Sequence, residues 1–111
     1  EELREVYRGA AALLVPNIED FGMVTVEALA CGTPVVGLAA SGTADVVRPG
    51  MEGELAEDCS LDAMVEAAVR ACRSRWDVTR LRRRAETFSR DQFRLRFHFL
   101  LDRLGFGKAL R

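Results

Sequence analysis

Two short, continuous apolar segments constrain the fold most strongly. Ala11–Val15 is an uninterrupted apolar run that a proline stops, and Val35–Leu38 is a second run that follows another proline. A strand buried on both faces reads as a continuous apolar run, which is typical of parallel sheets covered by helices. Between the runs, residues 23–31 carry apolar residues at helical spacing, and Gly32 ends that stretch. The pattern therefore predicts a β–α–β unit.

The segments around this unit extend the same alternation. A helical stripe precedes it at Leu3, Val6, Tyr7 and Ala10, and a helical turn at Ala44–Val47 follows it. Residues 53–55 then favour a short third strand. We therefore predict an α/β fold: the later part of a doubly wound, Rossmann-like parallel sheet whose earlier strands are absent, followed by C-terminal helices.

The C-terminal part is predicted to be helical. Ser60 is the expected cap of a helix that carries one stripe of residues, Leu61, Met64, Val65, Ala68, Val69 and Cys72. Trp76 and Asp77 break it before a shorter, Arg-rich helix. Residues 91–104 fit both a strand period and a helical stripe capped by Asp91; we favour the helix, with Leu95 and Phe99 pointing away from its main apolar stripe. These signals divide the chain into a sheet-containing part, 1–75, and C-terminal helices, 76–111.

Composition and cysteine spacing exclude several classes. Hydrophobic residues make up 49% of the 111 residues and charged residues 30%, as in a folded globular chain. No apolar run approaches the ~18–20 residues of a membrane span. Cys31, Cys59 and Cys72 form no C-x-x-C pair, which argues against a disulfide framework and structural zinc. With an acidic N-terminus that lacks a signal-peptide pattern, we expect a cytoplasmic location.

The charge is divided unevenly along the chain. Residues 1–69 carry 3 Arg against 13 acids, a net charge of −10, whereas residues 70–111 carry 13 Lys and Arg against 4 acids, a net charge of +9. Such a basic segment can contact phosphates of a nucleic acid, a lipid or another acidic surface. Solvated helix faces are the alternative reading, and we favour it for the arginines at 80 and 82–84.

The turn between the first strand and the next helix has the features of an anion site. It lies at the carboxyl edge of the predicted parallel sheet, where such folds bind ligands. The amides of Phe21, Gly22 and Met23 lack helical partners and lie at the positive end of the helix dipole. Gly22 allows close approach of a ligand to the main chain, so we expect a diphosphate there.

Two carboxylates flank this turn. Glu19 precedes the helix and Glu27 lies on its second turn, eight residues later. Ionised carboxylates accept hydrogen bonds from the hydroxyl pairs of sugars. Amide donors for a diphosphate, with a diol acceptor on either side, form the outline of a nucleotide-sugar site.

These residues resemble a known family. The Glu19–Glu27 spacing, within P-x-x-E-x-F-G-x-x-x-x-E-A-x-A-x-G-x-P-V-V, is similar to the E-x7-E signature of retaining GT-B glycosyltransferases, in particular family 4 of group 1. The loop Gly42-x-x-Asp45-Val46-Val47 also resembles that family. The resemblance identifies the chain as a fragment of the C-terminal, donor-binding domain, with a last helix that crosses back to an N-terminal acceptor domain absent from the chain.

The resemblance implies a role for individual residues. Glu19 contacts the hydroxyls of the transferred sugar and is the expected catalytic residue, and Glu27 holds the ribose. The amides of Phe21, Gly22 and Met23 bind the sugar and the diphosphate. Candidates for further contacts are Asn17, Asp20, Val24, Gly42 and Asp45. Asp20 and Asp45 stand where the family usually has Gly and Glu, respectively.

The implied activity is retaining transfer of a hexose from a nucleotide diphosphate sugar to a glycan, a lipid or a small acceptor. No metal ion and no other cofactor are expected in the donor site. The isolated fragment is expected to be inactive, nucleic acid is not expected as a partner, and peripheral membrane contact is left open. The alternatives are a non-catalytic nucleotide-sugar-binding remnant and a basic interaction domain for polyanions, which would bind with strong salt dependence.

Overall fold

A computed structural model describes residues 2–18, 23–88 and 90–105. Three strands alternate with helices in the first half, and three helices follow. In chain order the elements are α1 (Glu2–Gly9), β1 (Leu13–Leu14), α2 (Met23–Ala30), β2 (Val35–Leu38), α3 (Thr43–Val46), β3 (Gly53–Ala56), α4 (Leu61–Arg73), α5 (Val78–Thr87) and α6 (Arg90–Arg103).

The strands form one parallel sheet in the order β1-β2-β3. Leu13 pairs with Val35 in the first ladder, and Val36 pairs with Glu54 in the second. The central strand β2 is buried along its whole length. The predicted α/β class with a partial Rossmann-like parallel sheet is therefore confirmed. The division of the chain at residues 75 and 76 stays a prediction.

Helices cover both faces of the sheet. On one face, Val35 packs in a core cluster with Leu29 of α2 and Leu81 of α5. On the other face, Val36 packs in a second cluster with Ala67 and Ala71 of α4. Because adjacent residues of a strand point to opposite faces, β2 supplies side chains to both clusters.

The prediction that the first strand is buried on both faces is wrong at Leu14. Its side chain is 53% exposed, and only Leu13 and Leu14 form the strand. Leu14 pairs with Val36 and therefore faces the α4 side of the sheet. There α4 contacts β2 and β3, and its cover does not extend over Leu14 at the edge strand.

The stripe that the sequence places on α4 is not the face that the structure buries. Ser60 caps this helix as expected, its Oγ accepting from the amide of Ala63 at 3.2 Å. The fully buried residues, however, are Ala67 and Ala71, whereas Leu61 is 77% exposed. Alanines at a spacing of four form the face that packs on β2 and β3, since small side chains allow close approach. The larger apolar residues of the predicted stripe therefore point outward, with Met64 and Ala68 half-buried at the margin.

Residues 90–103 are helical, as favoured, rather than a strand. Phe97, Phe99 and Leu100 are all exposed on α6. The side chains of Phe93 and Leu95 lie outside the described part of the chain, as does that of the predicted cap Asp91. The helical period of this segment is thus confirmed, but Asp91 is not its N-cap, because α6 begins at Arg90 and Asp91 lies inside the helix.

Gly32 ends α2 as the sequence predicts. Its amide bonds the carbonyl of Leu29 at 2.9 Å, and the amide of Thr33 bonds that of Ala28 at 2.9 Å. This pair of bonds is the Schellman motif, which places the residue after the helix cap in the left-handed region. Gly32 has φ +80°, a conformation that costs other residues about 1–2 kcal/mol.

We expect Gly32→Ala to lower the free energy of unfolding by about 1–3 kcal/mol, from the positive φ and local crowding. A Cβ at this position would lie 2.8 Å from Cγ1 of Val78. Gly9→Ala is the matched control, because nothing lies within 4 Å of its added carbon and it belongs to α1. It should leave stability unchanged or raise it by up to about 1 kcal/mol. Urea unfolding measures both; equal stability of the two variants would contradict this assignment.

A buried carboxylate ties the turn before β3 to the C-terminal helices. Glu52 is 0% exposed, and its Oε1 accepts from the amide of Arg48 at 2.9 Å and from Nε of the same residue at 3.0 Å. Nε of Arg84, on α5, lies 4.0 Å from Oε1. Burial by itself would raise the pKa of Glu52, but the hydrogen bonds from Arg48 and the charge of Arg84 outweigh it and lower the pKa. Nothing in the sequence pattern indicated this cluster.

Glu52→Gln should lower the free energy of unfolding at pH 7 by about 1–3 kcal/mol, because the hydrogen bonds then lose their ionised acceptor. The folded-state pKa lies below the ordinary value of 4.5, so the carboxylate stabilises the fold above that value. This contribution is lost as the pH falls through the folded-state pKa. Urea unfolding between pH 7 and pH 3 should show a smaller pH dependence in the variant. The exposed Glu66→Gln is the control; if both variants follow the wild-type curve, Glu52 does not contribute as described.

Candidate functional site

The predicted site falls partly outside the described residues. Glu19, Asp20, Phe21 and Gly22 belong to the undescribed stretch between β1 and α2. Their roles, including that of Glu19 as the catalytic residue, stay predictions. What the structure describes is the surrounding framework: the loop that leaves β1, helix α2, and the neighbouring helix α3.

The start of α2 forms one side of this framework. α2 begins at Met23 and follows the turn that leaves β1, so its N-terminus lies at the carboxyl edge of the parallel sheet. Met23 and Val24 are both exposed, as is Asn17 in the loop after β1. The first amides of a helix have no intrahelical acceptor and lie at the positive end of its dipole. This exposed end can therefore receive an anion.

Glu27 lies one turn further along α2, about 6 Å in helix rise from Met23. Its side chain is exposed, and its Oε2 accepts a hydrogen bond from the hydroxyl of Tyr7 at 3.4 Å. Tyr7, on α1, is only 7% exposed. Burial, followed by the charge of Glu27, raises the pKa of Tyr7, so the phenol stays protonated and donates at neutral pH.

Tyr7 also holds α1 against the far end of α2. Its main-chain carbonyl accepts a hydrogen bond from the buried hydroxyl of Thr33, just after the Gly32 turn. One residue thus contacts a side chain on α2 and the loop that follows that helix. In the sequence Tyr7 stood out only as part of an apolar stripe, and its partners lie 20 and 26 positions away.

Helix α3 is the second side of the framework. It contacts α2, and its Val46 belongs to the same core cluster as Leu29. Gly42 is half-buried at the start of α3, and Asp45 is exposed on it. The packing thus brings the α2 candidates and the α3 candidates onto neighbouring elements.

An arginine of α5 donates hydrogen bonds to the end of α3. Nε of Arg84 donates to the carbonyl of Val46 at 2.8 Å, and Nη2 donates to that of Asp45 at 3.1 Å. The sequence analysis placed Arg84 among solvated arginines and missed this contact. The two carbonyls lie 38 and 39 positions before Arg84 in the chain, so no local sequence signal could have revealed the contact.

Within residues 2–18, 23–88 and 90–105, no group of three or more His, Cys, Asp or Glu side chains is arranged to hold a metal ion. No helix in the same ranges has the length and apolar character needed to cross a bilayer. The three cysteines, all within these ranges, are free; Cys31 is half-buried and Cys59 and Cys72 are exposed.

Curated proteins similar to the chain carry a common name. It is 44% identical over 92 residues to the D-inositol 3-phosphate glycosyltransferase of Geodermatophilus obscurus, a match that covers 80% of this chain and 20% of that protein. It is 51% identical over 57 residues to D-inositol 3-phosphate glycosyltransferase 1 of Catenulispora acidiphila, covering 50% and 14%. For the protein of that name from Mycolicibacterium smegmatis, the identity is 48% over 58 residues, covering 51% and 13%. The chain therefore spans at most about a fifth of these relatives.

A family model adds the broader assignment. The model described as glycosyl transferases group 1 matches residues 1–90, which include all three strands and both sides of the framework. The match extends through α5, the helix that carries Arg84. By sequence and by its parallel α/β fold, the chain belongs to the group 1 glycosyltransferase family.

Proposed function

We propose that the protein transfers a hexosyl group from a nucleoside diphosphate sugar with retention of anomeric configuration, and that this chain supplies the donor site. The observation that carries the proposal is the exposed carboxylate of Glu27, held by the buried Tyr7 hydroxyl on a helix that begins at the carboxyl edge of a parallel sheet. The match of residues 1–90 to the group 1 glycosyltransferases supports the transfer of a glycosyl group.

In this proposal each residue keeps the role that its position in the E-x7-E spacing of family 4 implies. Glu27 accepts hydrogen bonds from the ribose hydroxyls, and Glu19 contacts the hydroxyls of the transferred sugar. The amides of Phe21, Gly22 and Met23 face the diphosphate. As the bond between sugar and diphosphate breaks, negative charge grows on the leaving group, and the positive end of α2 stabilises it. We assign the stabilisation of this negative charge to main-chain amides rather than to a metal ion.

The acceptor is proposed from the relatives. Their name states that they act on D-inositol 3-phosphate. Among the acceptor classes considered, this supports a small molecule over a glycan or a lipid, and D-inositol 3-phosphate is the first to test. We assign its binding to a separate domain of the protein and propose a cytoplasmic location.

A second candidate, binding of polyanions without catalysis, rests on the basic surface of α5. Arg82 and Arg83 are exposed there, in the half of the chain whose net charge is +9. The two functions differ in selectivity. Polyanion binding would weaken steeply with salt and would not distinguish nucleotide sugars from other anions of equal charge.

We expect Glu27→Ala to lower the affinity for the preferred nucleotide sugar by about tenfold or more, because the ribose loses charge-assisted hydrogen bonds. The measurement is a calorimetric titration of the purified protein with UDP-, GDP- and ADP-sugars. Glu66→Ala, an exposed carboxylate on α4, is the control and should bind like wild type. Unchanged affinity in the Glu27 variant would remove it from the ribose role. Wild-type protein that binds none of the panel would overturn the proposed function.

Tyr7→Phe should weaken donor binding by about three- to tenfold, because Glu27 loses the hydroxyl that orients it. The phenyl ring keeps the packing of the side chain. A double-mutant cycle supplies the control: in the Glu27→Ala background, Tyr7→Phe should have no further effect on affinity. Equal, additive losses in both backgrounds would mean that Tyr7 does not act through Glu27.

A further inference from the structure

We propose that Arg84 is a positioning residue for the donor site: it fixes α3, which carries Gly42 and Asp45, relative to α2. The effect on donor binding rests on the proposed function, whereas the contacts of Arg84 with α3 do not depend on it. Arg84 lies on α5, in the helical part after the sheet, and touches α3 rather than any predicted ligand contact on α2.

The contact is made to the main chain. α3 has four residues, so its last carbonyls lack helical partners and need others. The guanidinium of Arg84 reaches two of these carbonyls at once, those of Val46 and Asp45, at 2.8 and 3.1 Å. Its positive charge also lies at the negative end of that short helix. A helix of one turn does not persist by itself, so its position depends on such external contacts.

Arg84 is itself held from two other sides. The carboxylate of Glu52 is fully buried, with Oε1 4.0 Å from Nε of Arg84. The guanidinium lies 5.0 Å from the ring centroid of Phe88, the residue that caps the C-terminus of α5. A nearby carboxylate and an aromatic ring both restrict the orientation of a planar guanidinium, and its several donors suit two acceptors at once. The side chain is therefore a rigid support for the two carbonyls.

The support transmits the position of α5 to the site. Leu81 and Ala85 anchor α5 in the core cluster that also contains Leu29 of α2. Arg84 extends from the same helix to α3. The packing of α5 on α2 and the contact of Arg84 with the end of α3 therefore link the two sides of the framework. Loss of Arg84 would leave α3 held only by packing, through its buried residues Thr43 and Val46 and the adjacent Val47.

The test separates positioning from general stability by using Arg84→Lys. Lysine keeps a positive charge near Glu52, but its single ammonium group cannot reproduce the planar fork across both carbonyls. We expect the variant to retain most of the wild-type free energy of unfolding while its nucleotide-sugar affinity falls about fivefold or more. Arg84→Met, which keeps the stem, should lose both stability and affinity. Arg75→Ala, at an exposed arginine in the loop before α5, is the control for lost charge and should match wild type.

A second readout does not depend on any ligand. Amide hydrogen exchange at Val47, whose amide bonds the carbonyl of Thr43 at 2.8 Å, should be at least tenfold faster in Arg84→Lys under native conditions. Wild-type exchange rates at Val47, or recovery of affinity together with stability in the lysine variant, would overturn the positioning role. If wild-type protein binds no nucleotide sugar but exchange still accelerates, the proposed function fails and the support of α3 stands.

Discussion

The structure depends on the pairing of β2 with a parallel strand on each side. All four residues of β2 are buried, and β1 and β3 both pair with it as parallel strands. Because the strands are parallel, the segments that follow β1 and β2 leave at one edge of the sheet, where α2 and α3 begin. The two sides of the candidate site are neighbours for this reason. Any change that shifted the register of β2 would separate them.

Local signals were enough to predict most elements. The apolar run of β2, the glycine after α2 and the cap Ser60 each act through neighbouring residues, and each is present in the structure. Predictions of burial failed where they required knowledge of the packing partner. Leu14 has the right residue type for a core, but α4 does not extend over it, and α4 packs through alanines instead of its larger apolar residues.

The candidate site divides in the same way. Glu27 could be proposed as a site residue from the sequence, because the motif that contains it is continuous along the chain. Tyr7, Glu52 and Arg84 could not, because their contacts join residues far apart in the chain or depend on a buried charge. A glutamate in a turn is ordinarily expected to be exposed to solvent, yet Glu52 is buried and contacts two arginines. A single sequence carries no direct sign of contacts between residues as far apart as Glu52 and Arg84.

The central claim is that a nucleoside diphosphate binds between α2 and α3 at the carboxyl edge of the sheet. Amide chemical shifts of the isotope-labelled protein, followed during titration with UDP, GDP and ADP, test it most directly. We expect the nucleotide that binds to perturb residues 23–27 and 42–46 saturably, with little change along the outward face of α5. Perturbations confined to the arginines of α5, and abolished by moderate salt, would contradict the account.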